Sequence, residues 1–248
     1  PGTVYIEQKG VDAANKGKLL VDNNNNNGLF AGLPEADYEF NSVQVTRYGH
    51  VEVTGQDSNL KVPSGSMFSG DSTKSQVKVS GTLEHTGVNA LVIEGINLGL
   101  HGRVLGVQDI EIGQSMNSAV TLYAKTWTHN KDNPFVFNNV VVSEFGQLVM
   151  IGNQDGDSVY TDDEGVYVQM ASLNLADGGQ ITSDGAGYPE DLGPSAGGAH
   201  GGYIQGSTTI LPQGSIFEPT LLGSGGNGGF YGVPGDGGGA MKLSITGE

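Results

Sequence analysis

The segment NQDGDSVYTDDEGVY contains five carboxylates, which are the side chains in this sequence best suited to bind a cation. They are Asp155, Asp157, Asp162, Asp163 and Glu164. Hard cations such as Ca²⁺ take carboxylate and carbonyl oxygens from a turn that glycine often sharpens. Because the segment lacks the full D-x-D-x-D-G-x5-E spacing, a Ca²⁺ site and a solvated acidic turn both stay open. The chain has no cysteine and its histidines are scattered, so no softer metal competes.

A second stretch with chemical potential, TWTHNKDNPF, holds the only tryptophan, Trp127, beside His129 and Lys131. An exposed indole ring with polar neighbours can act as a stacking platform for a sugar, so we predict glycan binding at Trp127 and His129. The alternative is that Trp127 packs against the flank of the fold. Cleavage of a polysaccharide would need paired carboxylates, or a metal with a basic proton acceptor. Since the chain has only two arginines, the sequence favours a noncatalytic role.

Net charge limits the possible partners. The 248 residues include 27 Asp and Glu but only 11 Lys and Arg, which gives a formal net charge of −16. Nucleic acids and anionic membrane surfaces attract basic patches, so neither is an expected partner. No apolar run is long enough to insert into a membrane. The complete absence of cysteine leans toward a bacterial protein at the cell surface or outside the cell, stabilised by repetition rather than by disulfides.

Strand patterns, rather than helical ones, must position these groups. Short alternating runs rich in Val, Ile, Leu, Tyr and Thr recur from GTVYIE near the start to MKLSITG at the end. Gly, Asn, Asp or Ser turns separate them. Helical periodicity is nearly missing, and the sequence therefore predicts an all-β protein.

Four stretches repeat one pattern: a strand, a short polar step ending in glycine, and a second strand. They cover residues 38–55, 92–107, 135–152 and 167–185, and we align their glycines as Gly49, Gly102, Gly146 and Gly179. In three of the stretches a small or amide pair precedes the second half of the first strand, at positions 41–42, 138–139 and 171–172.

Irregular spacing of these copies favours a right-handed, single-stranded parallel β-helix, a solenoid whose coils tolerate long loops at one corner. An antiparallel β-sandwich or jelly roll is the alternative, but it would favour two-residue hairpin turns that the repeats lack. Alternation assigns the following residues to the interior: Phe40, Val43, Val45, Val51, Val53, Ile93, Ile96, Leu98, Phe137, Val140, Val142, Leu148, Leu173 and Leu175.

Glycine dominates the chain from Gly178 onward. We assign residues 1–177 to the β-helix coils and residues 178–248 to glycine-rich loops that return to a final strand within the same domain. Glycine lets two backbones approach closely and pair without intervening side chains. Interleaved aromatic residues supply anchors that a linker lacks, so we expect these loops to be ordered against the solenoid. No lysine follows GSGGNGG, which argues against a phosphate-binding loop.

The order of these segments resembles a module of large, secreted, glycine-rich repetitive proteins, the adhesin-like surface proteins of bacteria and some protists. The similar segments are PGTVYIEQKG, LLVDNNN, LPEADYEFNSVQV, GHVEV, ITSDGAGYPEDLGPSAGGAHGG and FEPTLLGSGGNGGFYGVPGDGGGAMKLSITG, which span nearly the whole chain. The chain departs from that family where Phe230, Tyr231, Val233 and Pro234 interrupt a run that is normally pure glycine. The resemblance implies a β-helical segment of a long extracellular protein and implies no activity.

The sequence as a whole predicts a noncatalytic, extracellular structural or adhesive segment of a surface protein or filament. Parallel stacks leave unpaired strand edges at both ends unless something caps them. Neither end shows a capping helix, so we expect copies to associate end to end or laterally. Expected partners are therefore the chain itself or extracellular glycans. The alternative function is a carbohydrate-binding module or a polysaccharide-degrading enzyme on the same scaffold.

Overall fold

The computed structural model describes residues 2–6, 17–26, 29–63, 65–125, 128–154, 163–189, 220–225 and 236–247. In these ranges the chain forms twenty β-strands, numbered β1 to β20 along the chain, and no helix. The prediction of an all-β protein is confirmed. It follows that the described part of the chain contains no helix able to span a membrane.

The strands form three sheets, A, B and C. Sheet A contains β1 (Gly2–Ile6), β2 (Lys18–Asp22), β5 (Ser42–Thr46), β8 (Met67–Gly70), β11 (Leu91–Glu94), β14 (Asp109–Ile112), β16 (Phe135–Val142), β18 (Val166–Leu175) and β20 (Met241–Ile245). Sheet B contains β3 (Ala31–Leu33), β6 (His50–Val53), β9 (Gln76–Val79), β12 (Asn97–Leu100), β15 (Ser118–Tyr123), β17 (Gly146–Ile151) and β19 (Gln180–Thr182). Sheet C contains β4 (Asp37–Glu39), β7 (Asn59–Pro63), β10 (Thr82–Thr86) and β13 (Arg103–Leu105).

From β2 onward the chain visits the sheets in a fixed order. We call one passage through the sheets, beginning with a strand of sheet A, a coil. Each of the first four coils adds one strand to sheet A, one to sheet B and one to sheet C, whereas the later coils add strands to A and B alone. Neighbouring strands within each sheet are parallel, apart from β1, which pairs antiparallel with β2. Three parallel sheets with strands in chain order are compatible with a β-helix. An antiparallel sandwich or jelly roll does not agree with these pairings.

Register places one apolar residue of each coil above that of the coil before. In sheet A, Val43 pairs with Phe68, Phe68 with Ile93, Ile93 with Ile112 and Ile112 with Val142. Each of these five side chains is at most 1% exposed. Full burial of such a side chain stabilises the fold by roughly 1.5–3 kcal/mol, so columns of this kind form the core.

Of the predicted interior residues, all but two are buried. Leu173 is partly buried against the core, whereas Leu175 is 47% exposed, and its prediction as a core residue is wrong. Leu175 does occupy the next position of the column, since it pairs with Val142. The next strand of sheet A, β20, pairs with β18 only over Val166–Met170, so no strand among the described residues pairs with β18 at Leu175 on that side.

The alignment of the repeat glycines is wrong at one position. Gly49, Gly146 and Gly179 lie at the corner between sheets A and B, where the second copy places Ile96. Gly102 instead precedes β13 at the corner between sheets B and C, directly above Gly81. A methyl group on Gly102 would overlap the carbonyl oxygen of Gly81, so glycine is required there for backbone approach.

Sheet C ends at β13, and three loops of increasing length then connect strands of sheet B directly to strands of sheet A. They cover residues 124–134, 152–165 and 183–240. Residues 135–137 at the start of β16 extend beyond its pairing with β14 and pair with β18, and this register skips one position, between Phe137↔Met170 and Asn139↔Ser172. The predicted amide and small pairs at 138–139 and 171–172 lie at this step in the register.

Described parts of the glycine-rich region form a cluster that we call the glycine seam, defined as Gly187, Gly223, Gly237 and Gly238. The amide of Gly187 donates to the carbonyl of Gly237 at 2.8 Å, and that of Gly223 to Gly238 at 2.8 Å. A methyl group on Gly237 would overlap the carbonyl of Gly223. Around the seam, Tyr188, Leu222 and Ala240 form a small separate core. The expected close backbone pairing is therefore present here, while residues 190–219 and 226–235, including Phe230, Tyr231, Val233 and Pro234, lie outside the described residues.

Adjacent glycines in the seam allow a matched test of this packing. We expect Gly237→Ala to destabilise the protein by about 1–3 kcal/mol, because the added methyl must push two backbones apart. Gly238→Ala is the control, because a methyl group there meets nothing within 4 Å. It should be neutral or stabilise by up to about 1 kcal/mol through the unfolded chain. Urea unfolding of both variants measures the difference, and equal stabilities would contradict the close approach.

Candidate functional site

The acidic segment predicted to hold Ca²⁺ is only partly described. Asp155, Asp157 and Asp162 lie outside the described residues, whereas Asp163 and Glu164 lie within them. Asp163 is 2% exposed, and its Oδ2 accepts a hydrogen bond from the Tyr188 hydroxyl at 2.7 Å. No cluster of three or more potential metal ligands occurs among the residues that the structure describes. The Ca²⁺ site stays a prediction, and Asp163 is engaged with the small core around Tyr188.

Glu164 faces a different partner from its neighbour Asp163. Its Oε1 lies 3.2 Å from the Nζ of Lys131, and the Lys131 amide donates to its Oε2 at 3.4 Å. The hydrogen bond and the negative charge of Glu164 raise the pKa of Lys131, and the charge of Asp132 adds to this. The two stretches with predicted chemistry, around residues 127–131 and 155–164, therefore meet at this ion pair.

The ion pair lies in an open cavity of about 470 Å³, which we call the loop groove. Each of the three loops beyond sheet C contributes to it, and the outer faces of β18 and β20 form its floor. Its lining consists of Lys131, Asp132, Pro134, Glu164, Tyr167, Val168, Gln169, Thr220, Lys242 and Ser244. Opposite charges, amide and hydroxyl groups in one groove are suited to hydrogen-bond a polar ligand.

Tyr167 shows what kind of chemistry the loop groove can support. The side chain is 9% exposed, and burial raises the pKa of its hydroxyl, with a smaller opposing effect of its hydrogen bond with Thr220. A phenol with a raised pKa keeps its proton at neutral pH. Tyr167 can therefore hydrogen-bond a ligand, but it is poorly suited to act as a base or a nucleophile.

The predicted glycan platform is described only at His129, because Trp127 lies outside the described residues. His129 is 6% exposed and stacks on Phe135, with ring centroids 3.8 Å apart. The amide of Val104, in β13, donates to its Nε2 at 3.2 Å, so the ring proton is on Nδ1, which donates to the carbonyl of Asn133 at 3.2 Å. Burial lowers the pKa of His129 and keeps it neutral. His129 thus attaches this loop to β13, the last strand of sheet C, and the sugar platform stays a prediction.

Sequence reasoning selected Lys131 and Glu164 in separate segments but missed Tyr167, Thr220 and Lys242. Tyr167 and Lys242 are direct neighbours in the register of β18 and β20, although they are 75 positions apart in the chain. Alternation marks both as outward-facing, and that is the only signal in the sequence. Their proximity depends on where a 58-residue loop, residues 183–240, returns the chain.

The hydrogen bond to Asp163 can be tested by removing one hydroxyl. We expect Tyr188→Phe to destabilise the protein by about 1–3 kcal/mol, because a buried carboxylate loses one of its donors. Tyr38→Phe is a matched control, since the Tyr38 hydroxyl donates to the carbonyl of Pro34 at 2.7 Å in an exposed setting. Its effect should stay within about 0.5 kcal/mol. Equal losses in thermal unfolding would mean that Asp163 does not depend on Tyr188.

Comparisons with protein families, with curated proteins and with solved structures found no match to this chain. The resemblance to glycine-rich surface proteins accordingly stays a prediction, and the argument for function rests on the fold and its surfaces.

Proposed function

We propose that this chain is a right-handed, single-stranded parallel β-helix that serves as a noncatalytic, extracellular structural or adhesive segment of a surface protein or filament. The observation that carries the proposal is the continuous stack. Sheet A runs through nine strands from β1 to β20, and its inner column is closed to water over five coils. A stack of this kind extends in one direction by adding coils, which suits a rod or spacer.

Outer side chains also connect one coil to the next, which supports the proposed structural role. Lys78 in β9 pairs with Glu52 in β6 at 2.9 Å, and Lys61 in β7 pairs with Glu84 in β10 at 3.5 Å. In each pair the two residues are direct neighbours in register. Exposed ion pairs are individually weak, but each one here resists separation of adjacent coils.

A row of polar side chains on sheet A also forms hydrogen bonds from one coil to the next. Asp109 Oδ1 accepts hydrogen bonds from the backbone amide of Asn139 at 3.0 Å and from its Nδ2 at 2.7 Å. The hydroxyl of Ser172 then donates to Asn139 Oδ1 at 2.6 Å. Three successive coils are joined by side chains along the stack, next to the step in the register of β16 and β18.

The two ends of sheet A differ, and this bears on self-association. At one end, β1 pairs antiparallel with β2 and covers its edge. At the other end, Met241 and Ile245 of β20 continue the inner column of Val166 and Met170 but are 37% and 50% exposed. We assign contact between copies to this apolar face of β20. In a head-to-tail contact, β20 of one copy would lie against β1 of the next copy, the strand that runs antiparallel to β2.

Charge on the exposed face of β20 tests this association. We expect the wild-type chain to form assemblies in analytical ultracentrifugation and the Ile245→Lys variant to form none, because burying an unpaired charge in the contact is unfavourable. Leu105→Lys is the control, since Leu105 is 52% exposed at the end of sheet C. A wild-type chain that stays monomeric at high concentration, or equal assembly of both variants, would contradict the proposal.

We also propose that the segment 155–164 binds Ca²⁺. The ion would reduce repulsion between the carboxylates of this segment, in a chain whose net charge is −16. Saturation at about 100 times the dissociation constant would stabilise the fold by about 2.7 kcal/mol. We expect millimolar Ca²⁺ to raise the melting temperature, and Asp155→Asn with Asp157→Asn to remove most of that rise. The control pair Asp177→Asn with Asp184→Asn changes the same charge on exposed turns. A full response in the first pair would contradict this site.

A further inference from the structure

The outer face of sheet B carries a second cavity, which lies away from the loop groove. It has a volume of about 230 Å³ and spans β9, β12 and β15, and we call it the sheet B pocket. Its lining consists of Phe30, Gln76, Val77, Lys78, Asn97, Gly99, His101, Thr121 and Tyr123. None of the candidate residues predicted from the sequence belongs to it.

Gly99 creates the sheet B pocket. Along its column the register places Lys78 on one side and Thr121 on the other, so the missing side chain leaves a gap one coil wide. The fold does not require glycine at this position: a methyl group there would make only ordinary contacts, 3.4 Å from His101 and 3.8 Å from Tyr123. Gly81 and Gly102, in contrast, cannot accept a side chain without moving backbone. The opening is thus a property of the surface and not a by-product of coil stacking.

Aromatic rings bound the sheet B pocket. His101 stacks on Tyr123 with ring centroids 3.6 Å apart, and Phe30 lies 5.1 Å from the ring of His50. Phe30 is 37% exposed. The lining also includes the amides of Gln76 and Asn97 and the hydroxyl of Thr121, which donates to Asn97 Oδ1 at 3.4 Å. Aromatic rings beside amides and hydroxyls are suited to a ligand with apolar C–H faces and hydroxyl edges.

Charge in the sheet B pocket differs from that of the whole chain. Burial, and then the positive charges of Lys78 and Lys125, lower the pKa of His101 to about 4, with Glu52 opposing this. His101 is therefore neutral at neutral pH, and the charged groups facing it are Lys78, Lys125 and Glu52. Glu52 forms an ion pair with Lys78, so Lys125 is the cation that makes the sum of these three charges positive, on a protein of net charge −16.

We propose that the sheet B pocket binds a uronic acid unit of an acidic polysaccharide, that is, a pyranose that bears a carboxylate. The ammonium group of Lys78 has three donors and binds Glu52 at 2.9 Å, and we expect it to donate to the ligand carboxylate as well. The amides and Thr121 hydrogen-bond the ring hydroxyls, and the aromatic rings contact the C–H face. This site does not depend on the structural role proposed above, because it needs only the register of β9, β12 and β15.

Calorimetric titration with a galacturonic acid tetrasaccharide tests the proposal, with its fully methyl-esterified form as the matched ligand that lacks the charge. We expect the wild-type chain to bind the acid and to bind the ester at least about tenfold more weakly, which corresponds to about 1.4 kcal/mol. Lys78→Gln should weaken binding of the acid by about tenfold or more on the same basis. Gly99→Val should also abolish binding, because it fills the floor of the pocket, and circular dichroism checks that it folds.

Two lysine variants locate the site. Lys61→Gln removes a similar ion-paired lysine from sheet C, and Lys131→Gln removes the lysine of the loop groove. Both should bind the acid like the wild type. The proposal is overturned if the wild-type chain does not bind the tetrasaccharide at millimolar concentration, or if the ester binds equally well. Binding that survives Lys78→Gln but is lost in Lys131→Gln would overturn it too, because the ligand would then occupy the loop groove.

Discussion

Backbone hydrogen bonds between one coil and the next hold the strands in register, and the rest of the structure depends on that register. A strand presents alternate side chains to opposite faces, so a slip of one residue would move every inner side chain outward. With Val43, Phe68, Ile93, Ile112 and Val142 aligned, the core is a continuous column. The same register aligns the outer ladders, including Lys78 with Glu52, and it brings His101 onto Tyr123. The core, the outer ladders and the sheet B pocket thus follow from one set of pairings.

Glycine supports that register in two different ways. At Gly102 and Gly81 it allows successive coils to approach at a corner where any side chain would overlap backbone. In the glycine seam it lets distant parts of one long loop pair directly, beside a small core around Tyr188. The loop groove lies where loops replace sheet C, and each of the three loops supplies part of its lining. The candidate site therefore lies on the later coils, in which a loop follows the strand of sheet B. The earlier coils contribute one strand to each of the three sheets.

Sequence patterns could predict the parts of this fold that depend on neighbouring residues. Alternation is local, so residues such as Val43, Val51 and Leu98 were correctly assigned to the core. Partners in the next coil are not local, because the step varies. Val43 pairs with Phe68, 25 positions later, but Ile93 pairs with Ile112, 19 positions later. That variation explains why the pattern aligns Gly102 with the wrong corner. Leu175 keeps its register with Val142 but is exposed because β20 pairs with only the first half of β18, which no local pattern indicates.

The candidate site shows the same limit. Lys131 and Glu164 stood out because each lies in a segment rich in polar groups, yet only the fold brings them within 3.2 Å. Lys242 lies opposite Tyr167 across 75 positions of chain, and no local pattern announces such a pair. No sequence pattern indicates the pocket at Gly99, because the residue type alone does not distinguish a glycine that opens a pocket from a glycine in a turn.

Register between coils is the central claim, and an engineered disulfide tests it most directly, because the chain has no cysteine of its own. Gln44 in β5 pairs directly with Ser69 in β8, 25 positions later. Neighbouring strands lie about 4.8 Å apart, within the range of Cα separations that a disulfide spans. The account predicts that Gln44→Cys with Ser69→Cys forms a disulfide in the folded protein under mild oxidation, as measured by thiol counting. Gln44→Cys with Met67→Cys, displaced by two residues along β8, should stay reduced. Absence of the first disulfide, or equal yields of both, would contradict the account.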